Sequence, residues 1–260
     1  MKPPTARYRR ANGFRPPLGI ARSYAVQLRR WFDALQTELL AAAEHEHASR
    51  RLRTDADLHG LRVNLEARVT GLRAGLHTIA TRVVKRNAAD FRRVIGVPTK
   101  DLGLGHAVAT FQARNVGLIT TLANKQIDEV AALVKQADAE AWRVEDLASA
   151  ITDTFSDTDA NAELIARDQV LKLNGQITSE RQQSAGVTAY IWTTTGDERV
   201  RGRPKSEGGI NPRGLHYELE GTRQAWASPP IMSEDGRRGH PGSDYQCRCV
   251  AYPLIDVLDE

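Results

Sequence analysis

The residues best suited to chemistry lie near the C-terminus of the chain. Cys247 and Cys249 are its only cysteines, and two of its seven histidines, His216 and His240, precede them. Thiolate and imidazole are the usual ligands of structural zinc, and four of them close a tetrahedral site. However, zinc sites normally use spacings such as C-x2-C rather than C-x-C. Two interpretations stay open: zinc held by these four residues, or two structural thiols buried under a sheet, with His216 bound to a backbone carbonyl or to Asp197. The spacing favours the second.

The same stretch offers groups for catalysis without an arrangement that requires it. A cysteine and a histidine can form a nucleophilic pair, but nothing in their spacing brings them together. The carboxylates Asp197, Glu198, Glu218 and Glu220 could act as paired acids. Nearby arginines make structural ion pairs the simpler interpretation: Arg199, Arg201 and Arg223. We therefore predict no catalytic residue and no cofactor apart from the zinc alternative.

The elements that position these residues are mostly helical. Apolar residues recur at three- and four-residue steps, which is typical of amphipathic helices. The pattern predicts helices over Ile20–Glu46, Asp55–Val94, His106–Ala137, Val144–Thr152 and Asp159–Ser184. The tract Glu44-His45-Glu46-His47 resembles a metal-binding tract, but its histidines point in different directions on a helix. We interpret it as a solvated helix end.

The sequence changes in character after Gly186. Stretches rich in Gly and Pro, over residues 202–213 and 228–242, indicate loops. These loops separate three predicted strands, Val187–Thr195, Leu215–Leu219 and Arg248–Ile255. We predict an α+β fold in which a long helical N-terminal body precedes a small, loop-rich α+β C-terminal domain. The predicted divisions are an extended basic arm (1–19), the helical body (20–157) and the C-terminal domain (158–260).

Composition and charge limit the classes of partner. The chain has 260 residues, a net charge of +4 and a pI of about 9.2. No apolar run approaches the roughly 18 residues of a membrane span, so we expect no membrane partner. The arm carries four arginines, with Tyr8 and Phe14 as anchors for a partner on which it would order. The second helix carries a basic face that is solvated or holds DNA or an acidic protein: Arg62, Arg68, Arg73, Arg82, Lys85, Arg86, Arg92 and Arg93.

An ordered series of residues extends through the second half of the chain. It comprises Ala166-Arg167-Asp168-Gln169, Gly186 to Trp192, Asp197-Glu198-Arg199-Val200-Arg201, His216, Leu219-Glu220-Gly221, Pro241-Gly242 and Cys247-Arg248-Cys249. This series resembles the phage head morphogenesis family, the minor head proteins similar to the F protein of phage Mu and to the minor head protein of the Bacillus phage SPP1. The match covers about Phe111 to Leu254. This chain departs from the family pattern at Gly202–Arg213, which we interpret as a loop insertion before His216.

The resemblance implies a structural role in the virion. Such proteins bind the portal during procapsid assembly and assist DNA packaging or ejection, so we expect a location inside the capsid at the portal vertex, and in the host cytoplasm during assembly. Further expected partners are the major capsid or scaffold protein and packaged double-stranded DNA. We predict that one cluster fixes the loops of the C-terminal domain: Trp192, Asp197, Arg199, Arg201, His216 and Gly221.

The family's C-terminal domain is also distantly similar to ADP-ribosyltransferases. This sequence offers only the E-x-E of Glu218-Leu219-Glu220 toward that activity. An ADP-ribosyltransferase-like enzyme, with Glu218 or Glu220 as its essential acid, is therefore an alternative to the structural role. An internal head protein that binds DNA without sequence preference is another.

Overall fold

In the residues that the structure describes, five α-helices precede three short strands. The computed structural model describes residues 14–48, 56–96 and 104–254. The helices are α1 (Leu18–Ala48), α2 (Ala56–Ile95), α3 (Leu104–Glu140), α4 (Val144–Thr154) and α5 (Thr158–Ser184), and the strands are β1 (Ala189–Thr193), β2 (Arg223–Ala225) and β3 (Val250–Leu254). The fold is α+β with a long helical body, which confirms the predicted class.

The apolar periodicity located all five helices to within three residues at each end. In α1, the predicted inward residues Tyr24, Leu28, Leu35 and Leu39 are buried. A stripe of this kind forms a helix because one face is removed from water while the backbone satisfies its own hydrogen bonds.

The three strands form an antiparallel sheet in the order β2-β1-β3. In the register, Ala189 pairs with Ala225 on one side of β1 and with Leu254 on the other. Four consecutive residues of β1 are buried, Ala189 to Trp192, because both faces of this central strand are covered. Its apolar run therefore lacks the alternation of a half-exposed strand.

The predicted strand at Leu215–Leu219 is wrong. These residues form turns, and the backbone N–H of Leu219 donates to the carbonyl of Leu215 at 3.1 Å, as in a helical turn. Gly221, at a φ of 73°, then redirects the chain, and its N–H donates to the carbonyl of Trp192 at 2.8 Å. The strand beside β1 therefore comes later, at Arg223–Ala225.

The chain divides into two compact units, each assembled from segments distant in sequence. The described residues of Met1–Ala21, Ala80–Ala109 and Arg167–Glu260 form the first, called here the head unit. Those of Arg22–Ile79 and Thr110–Ala166 form the second, the helical unit. The divisions predicted at residues 19 and 157 stay predictions.

The helical unit buries two polar contacts between segments far apart in sequence. The hydroxyl of Tyr24 donates to Oδ1 of Asn115 at 2.7 Å, and burial raises the pKa of this tyrosine. His47 is buried, with Nδ1 2.8 Å from Asp138 Oδ1 and Nε2 2.9 Å from the carbonyl of Trp142. The expected solvated end at Glu44–His47 is therefore wrong for His47, because α3 supplies it with partners.

The head unit contains a buried polar network between α2 and α5. Nδ2 of Asn87 donates to Asn174 Oδ1 at 3.0 Å and to Thr178 Oγ1 at 2.7 Å. Nη1 of Arg181, which is only 2% exposed, donates to Asn87 Oδ1 at 2.8 Å and to the carbonyl of Val84 at 3.0 Å. These bonds fix α5, the helix on which the sheet packs: Gln182 Nε2 donates to the carbonyl of Ala251.

Part of the predicted solvated arm packs on the protein itself. Phe14 is buried, and its ring lies edge-on to Phe91 with centroids 6.2 Å apart. An apolar ring in reach of a helix face is removed from water rather than left for a partner. Tyr8 and the rest of residues 1–13 lie outside the described part of the chain.

Candidate metal centre

His216 and both cysteines converge at one buried point of the head unit. His216 Nδ1 lies 3.6 Å from Cys247 Sγ and 3.5 Å from Cys249 Sγ. The three donor atoms all lie within 4.8 Å of one another, and all three residues are buried. These are the donors that zinc prefers in proteins. The structure thus brings together three of the four residues predicted as zinc ligands.

A turn before β3 places the two cysteines. The sequence predicts a strand from Arg248, but β3 begins at Val250, so both thiols precede it. Gln246 adopts a positive φ of 50°, and its N–H donates to Asp168 Oδ1 at 2.7 Å. The N–H of Cys247 donates to the carbonyl of Asp244 at 3.2 Å. Because the backbone turns here, the C-x-C pair converges on one histidine.

A second turn and an aromatic ring place His216. His216 lies in the turns at Leu215–Leu219. Its ring stands edge-on to Trp192, with centroids 5.4 Å apart and an interplanar angle of 83°. Its Nε2 lies 3.3 Å from Asp244 Oδ2. That carboxylate therefore faces one ring nitrogen while the other faces the thiols.

Asp244 organises the polar side of this centre. It is buried at 3% exposure and pairs with Arg201, and its Oδ1 accepts from Arg237 Nη1 at 2.7 Å and from the N–H of Tyr245 at 2.8 Å. Burial by itself would raise the pKa of Asp244. His216, the Tyr245 N–H and the two arginines outweigh it and hold the pKa far below its usual value. The carboxylate is therefore ionised.

The three donor groups shift one another's pKa. Burial alone would lower the pKa of His216, but Asp244 and Cys247 outweigh it and raise the pKa to about 9. A hydrogen bond from Cys249 lowers the pKa of Cys247 well below its usual value, against burial and with help from His216. The same bond, together with burial, raises the pKa of Cys249. Cys247 is thus the more acidic thiol of the pair.

Burial decides between binding and catalysis at this centre. His216 is 2% exposed, Cys247 4% and Cys249 9%. A nucleophilic thiolate needs access to a substrate, whereas buried cysteines act as structural groups. The arrangement therefore suits a closed metal site better than a Cys/His nucleophile.

His240 does not join the other predicted ligands. Its Nδ1 lies 2.9 Å from the hydroxyl of Tyr190, and its ring lies against Trp226 with centroids 4.8 Å apart. Burial lowers its pKa and also raises that of Tyr190. The four-ligand set predicted from sequence is therefore wrong at His240, because this histidine completes an aromatic cluster instead.

The predicted structural cluster is only partly one cluster. Asp197 binds Arg248 through both carboxylate oxygens, at 2.5 and 2.6 Å, rather than His216. Arg201 reaches Asp244 and the carbonyl of Tyr245. The side chain of Arg199 is 64% exposed beside Glu198, so it fixes no buried loop, although its N–H donates to Asp197. Trp192, His216 and Gly221 do meet, through the contacts given above.

Two residues that position the centre, Asp244 and Gly175, were not predicted from the sequence. The sequence does contain a signal for Asp244, because an acidic residue near potential zinc ligands is a candidate to hold the histidine. The signal for Gly175 is weaker: glycine inside a helix is costly unless packing requires it. A Cβ on Gly175 would lie 2.7 Å from the carbonyl oxygen of Pro241, so this glycine lets α5 approach the turn of Pro241 and Gly242.

A cavity of about 310 Å³ opens beside Asp244. Its lining carries both signs of charge: Arg201, Arg213, Glu234, Asp235 and Arg237. Two of the arginines are paired with Asp244. The walls therefore do not select an anion.

Comparison with known proteins finds a relative that matches part of this chain. An uncharacterized protein of Haemophilus influenzae is 34% identical to this chain over 149 residues. The alignment covers 57% of this chain but 30% of the relative, so the chain spans less than a third of that protein's length. No family model and no solved structure matches. Among the described helices, none has the length and apolar character needed to cross a membrane.

Proposed function

We propose that this chain is a phage minor head protein that binds the portal or the capsid interior during procapsid assembly and assists DNA packaging or ejection. The observation that carries the proposal is the ordered series from Asp168 to Cys249, with its resemblance to the phage head morphogenesis family. Any single motif of the series is commonplace, whereas their order and combination are specific.

Contacts between members of the series give it a physical meaning. Asp168 binds the backbone of Gln246 just before the two cysteines. Asp197 binds Arg248 between them. Members that lie up to 51 residues apart in sequence thus meet in the head unit. These contacts support the interpretation of the series as the folding signature of one domain type, which is what a family resemblance requires.

Two of the acidic groups hold the fold, which supports an interaction protein. Glu220 Oε2 accepts from the N–H of Thr194 at 2.5 Å, just after β1, and Asp197 binds Arg248. Glu218 is exposed, so it is the remaining candidate for the essential acid of an ADP-ribosyltransferase-like enzyme. Calorimetry with NAD separates the alternatives: we expect no binding heat, and saturable heat that a Glu218→Gln or a Glu220→Gln variant loses would favour the enzyme.

Co-expression with the cognate portal protein tests the proposal. We expect a complex that survives gel filtration at about 150 mM salt, where surface charge pairs alone are largely screened. An unrelated portal protein is the matched control and should elute separately. Elution of the chain apart from its cognate portal, with both proteins folded, would contradict the proposed function.

A further inference from the structure

We infer that His216 Nδ1 and the thiolates of Cys247 and Cys249 bind one Zn²⁺ ion that cross-links the head unit. His240 is not a ligand. Three protein donors leave one position of a tetrahedral ion for water. The inference does not rest on the proposed function, because it concerns how this unit is held together and not what it contacts.

The donor distances agree with tetrahedral zinc. With Zn–S of about 2.3 Å and Zn–N of about 2.05 Å, a tetrahedral angle separates sulfur and nitrogen by about 3.5 Å. The observed separations from His216 Nδ1 are 3.6 Å to Cys247 Sγ and 3.5 Å to Cys249 Sγ. Both sulfurs therefore already lie where zinc ligands would be.

Hydrogen bonds among the three groups account for part of this arrangement. An imidazole Nδ1 has either one proton or one lone pair, so it forms one good hydrogen bond. Two buried sulfurs nevertheless approach the same nitrogen at nearly equal distances. A cation that receives the lone pair and both thiolates satisfies all three donors at once, and the charges of two thiolates and Zn²⁺ cancel.

The surroundings of the ligands are those of a metal-binding histidine. Metal-ligating histidines commonly present their other ring nitrogen to a carboxylate, which fixes the tautomer and the ring orientation. Here Asp244 Oδ2 lies 3.3 Å from His216 Nε2 and is itself held by Arg201 and Arg237. The N–H of Gly242 also donates to Cys247 Sγ at 3.4 Å, a contact that a thiolate ligand accepts well.

The packing around the ligands indicates what the ion would contribute. The buried cluster beside the sheet contains seven residues, and two of them are the cysteines themselves: Tyr190, Trp192, Trp226, Met232, Cys247, Cys249 and Ala251. The strands of that sheet are only three to five residues long. An ion here would join the His216 turn to the start of β3.

Metal analysis of the purified full-length chain tests the inference. After growth with zinc and dialysis against metal-free buffer, we expect about one zinc per chain. Cys249→Ser and His216→Asn should each lower the bound zinc at least tenfold. The matched control is His240→Gln, which alters the histidine outside the centre and should retain about one equivalent.

Two further measurements use the wild-type chain, so they do not depend on whether the variants fold. The wild-type chain loaded with Co²⁺ should show thiolate-to-metal charge transfer and the intense visible bands of tetrahedral cobalt. A strong chelator should lower the midpoint of thermal unfolding by about 5 °C or more, because the ion binds only the folded state. Three results would each overturn the inferred site. The wild-type chain could bind no zinc after reconstitution, it could bind copper instead of zinc, or the His240→Gln variant could lose its zinc. Portal binding enters none of these measurements, so the two proposals fail separately.

Discussion

At the scale of single residues, the head unit depends on a few carboxylates that each bind several partners. Asp244 receives two arginines and a backbone N–H beside His216, and Asp168 binds Lys172, Gln169 and the backbone of Gln246. Asp197 binds Arg248 with a two-point contact, the strongest geometry for a carboxylate and a guanidinium. Each carboxylate fixes a loop that lacks the backbone hydrogen bonds of regular secondary structure.

The first prediction concerns the pH dependence of the Asp197–Arg248 pair. The hydrogen bond from Arg248 is the main cause that lowers the pKa of Asp197 in the folded protein. The pair therefore stabilises the fold above the unfolded carboxyl pKa of about 3.9, and this contribution is lost as the pH falls through the folded pKa. We expect Asp197→Asn to lower the free energy of unfolding at pH 7 by about 1 kcal/mol, a small value because solvent screens the pair.

Urea unfolding at pH 7, 5 and 3 measures this dependence. The difference between variant and wild type should shrink toward pH 3, where the wild-type carboxylate is losing its charge. Glu218→Gln, at an exposed neighbouring position, is the control and should follow the wild-type curve. A difference that stays constant from pH 7 to pH 3 would show that Asp197 does not act through its charge.

At the scale of elements, α5 positions the sheet and the candidate metal centre. Its Asn174, Thr178 and Arg181 bond to Asn87 of α2, and its Gly175 lies against the turn that precedes the cysteines. The periodicity predicts that α5 is a helix. It does not predict these partners, because buried polar residues interrupt the apolar stripe and their value depends on which residue comes into reach.

The second prediction removes the centre of the polar network. Asn87→Ala deletes the acceptor of the buried Arg181 and the donor to Asn174 and Thr178. Because a buried charge that loses one of its hydrogen-bond acceptors is costly, we expect the free energy of unfolding to fall by about 2–4 kcal/mol. Denaturant unfolding followed by circular dichroism measures the change.

An exposed position on α5 provides the control. Gln183→Ala removes only an exposed contact with Ser179, so its effect should stay within about 0.5 kcal/mol. Equal stability of Asn87→Ala and Gln183→Ala would mean that the network contributes nothing measurable.

At the scale of the whole molecule, the net charge of +4 gives little indication of how much basic surface is available. Four residues of the basic face predicted for α2 already pair with acids. Arg62 binds Asp128 and Arg68 binds Glu38 in the helical unit, while Arg86 and Arg93 both bind Asp90 in the head unit. Ion pairs of this kind reduce the charge offered to a phosphate backbone.

The third prediction follows for DNA. We expect weak, sequence-independent binding to duplex DNA, with a Kd of about 10⁻⁴–10⁻⁶ M that weakens steeply with salt. The double variant Glu38→Gln, Asp128→Asn frees Arg68 and Arg62 and should bind severalfold more tightly at about 50 mM salt. Fluorescence anisotropy with a labelled duplex measures both, with Glu218→Gln as a control for loss of one negative charge elsewhere. Binding that is indifferent to salt would contradict this expectation.

The sequence by itself determined the helices, the α+β class and the residue types of the candidate centre. Local periodicity suffices for helices, because their hydrogen bonds join residues four apart and one face must leave water. Only the tertiary structure decided that His216 faces the cysteines and His240 does not, that Asp244 holds the histidine, and that β2 lies at Arg223–Ala225. These outcomes depend on turns at Gly221 and Gln246 and on contacts between residues tens of positions apart. No local pattern encodes such contacts, because their geometry is set jointly by every segment packed around them.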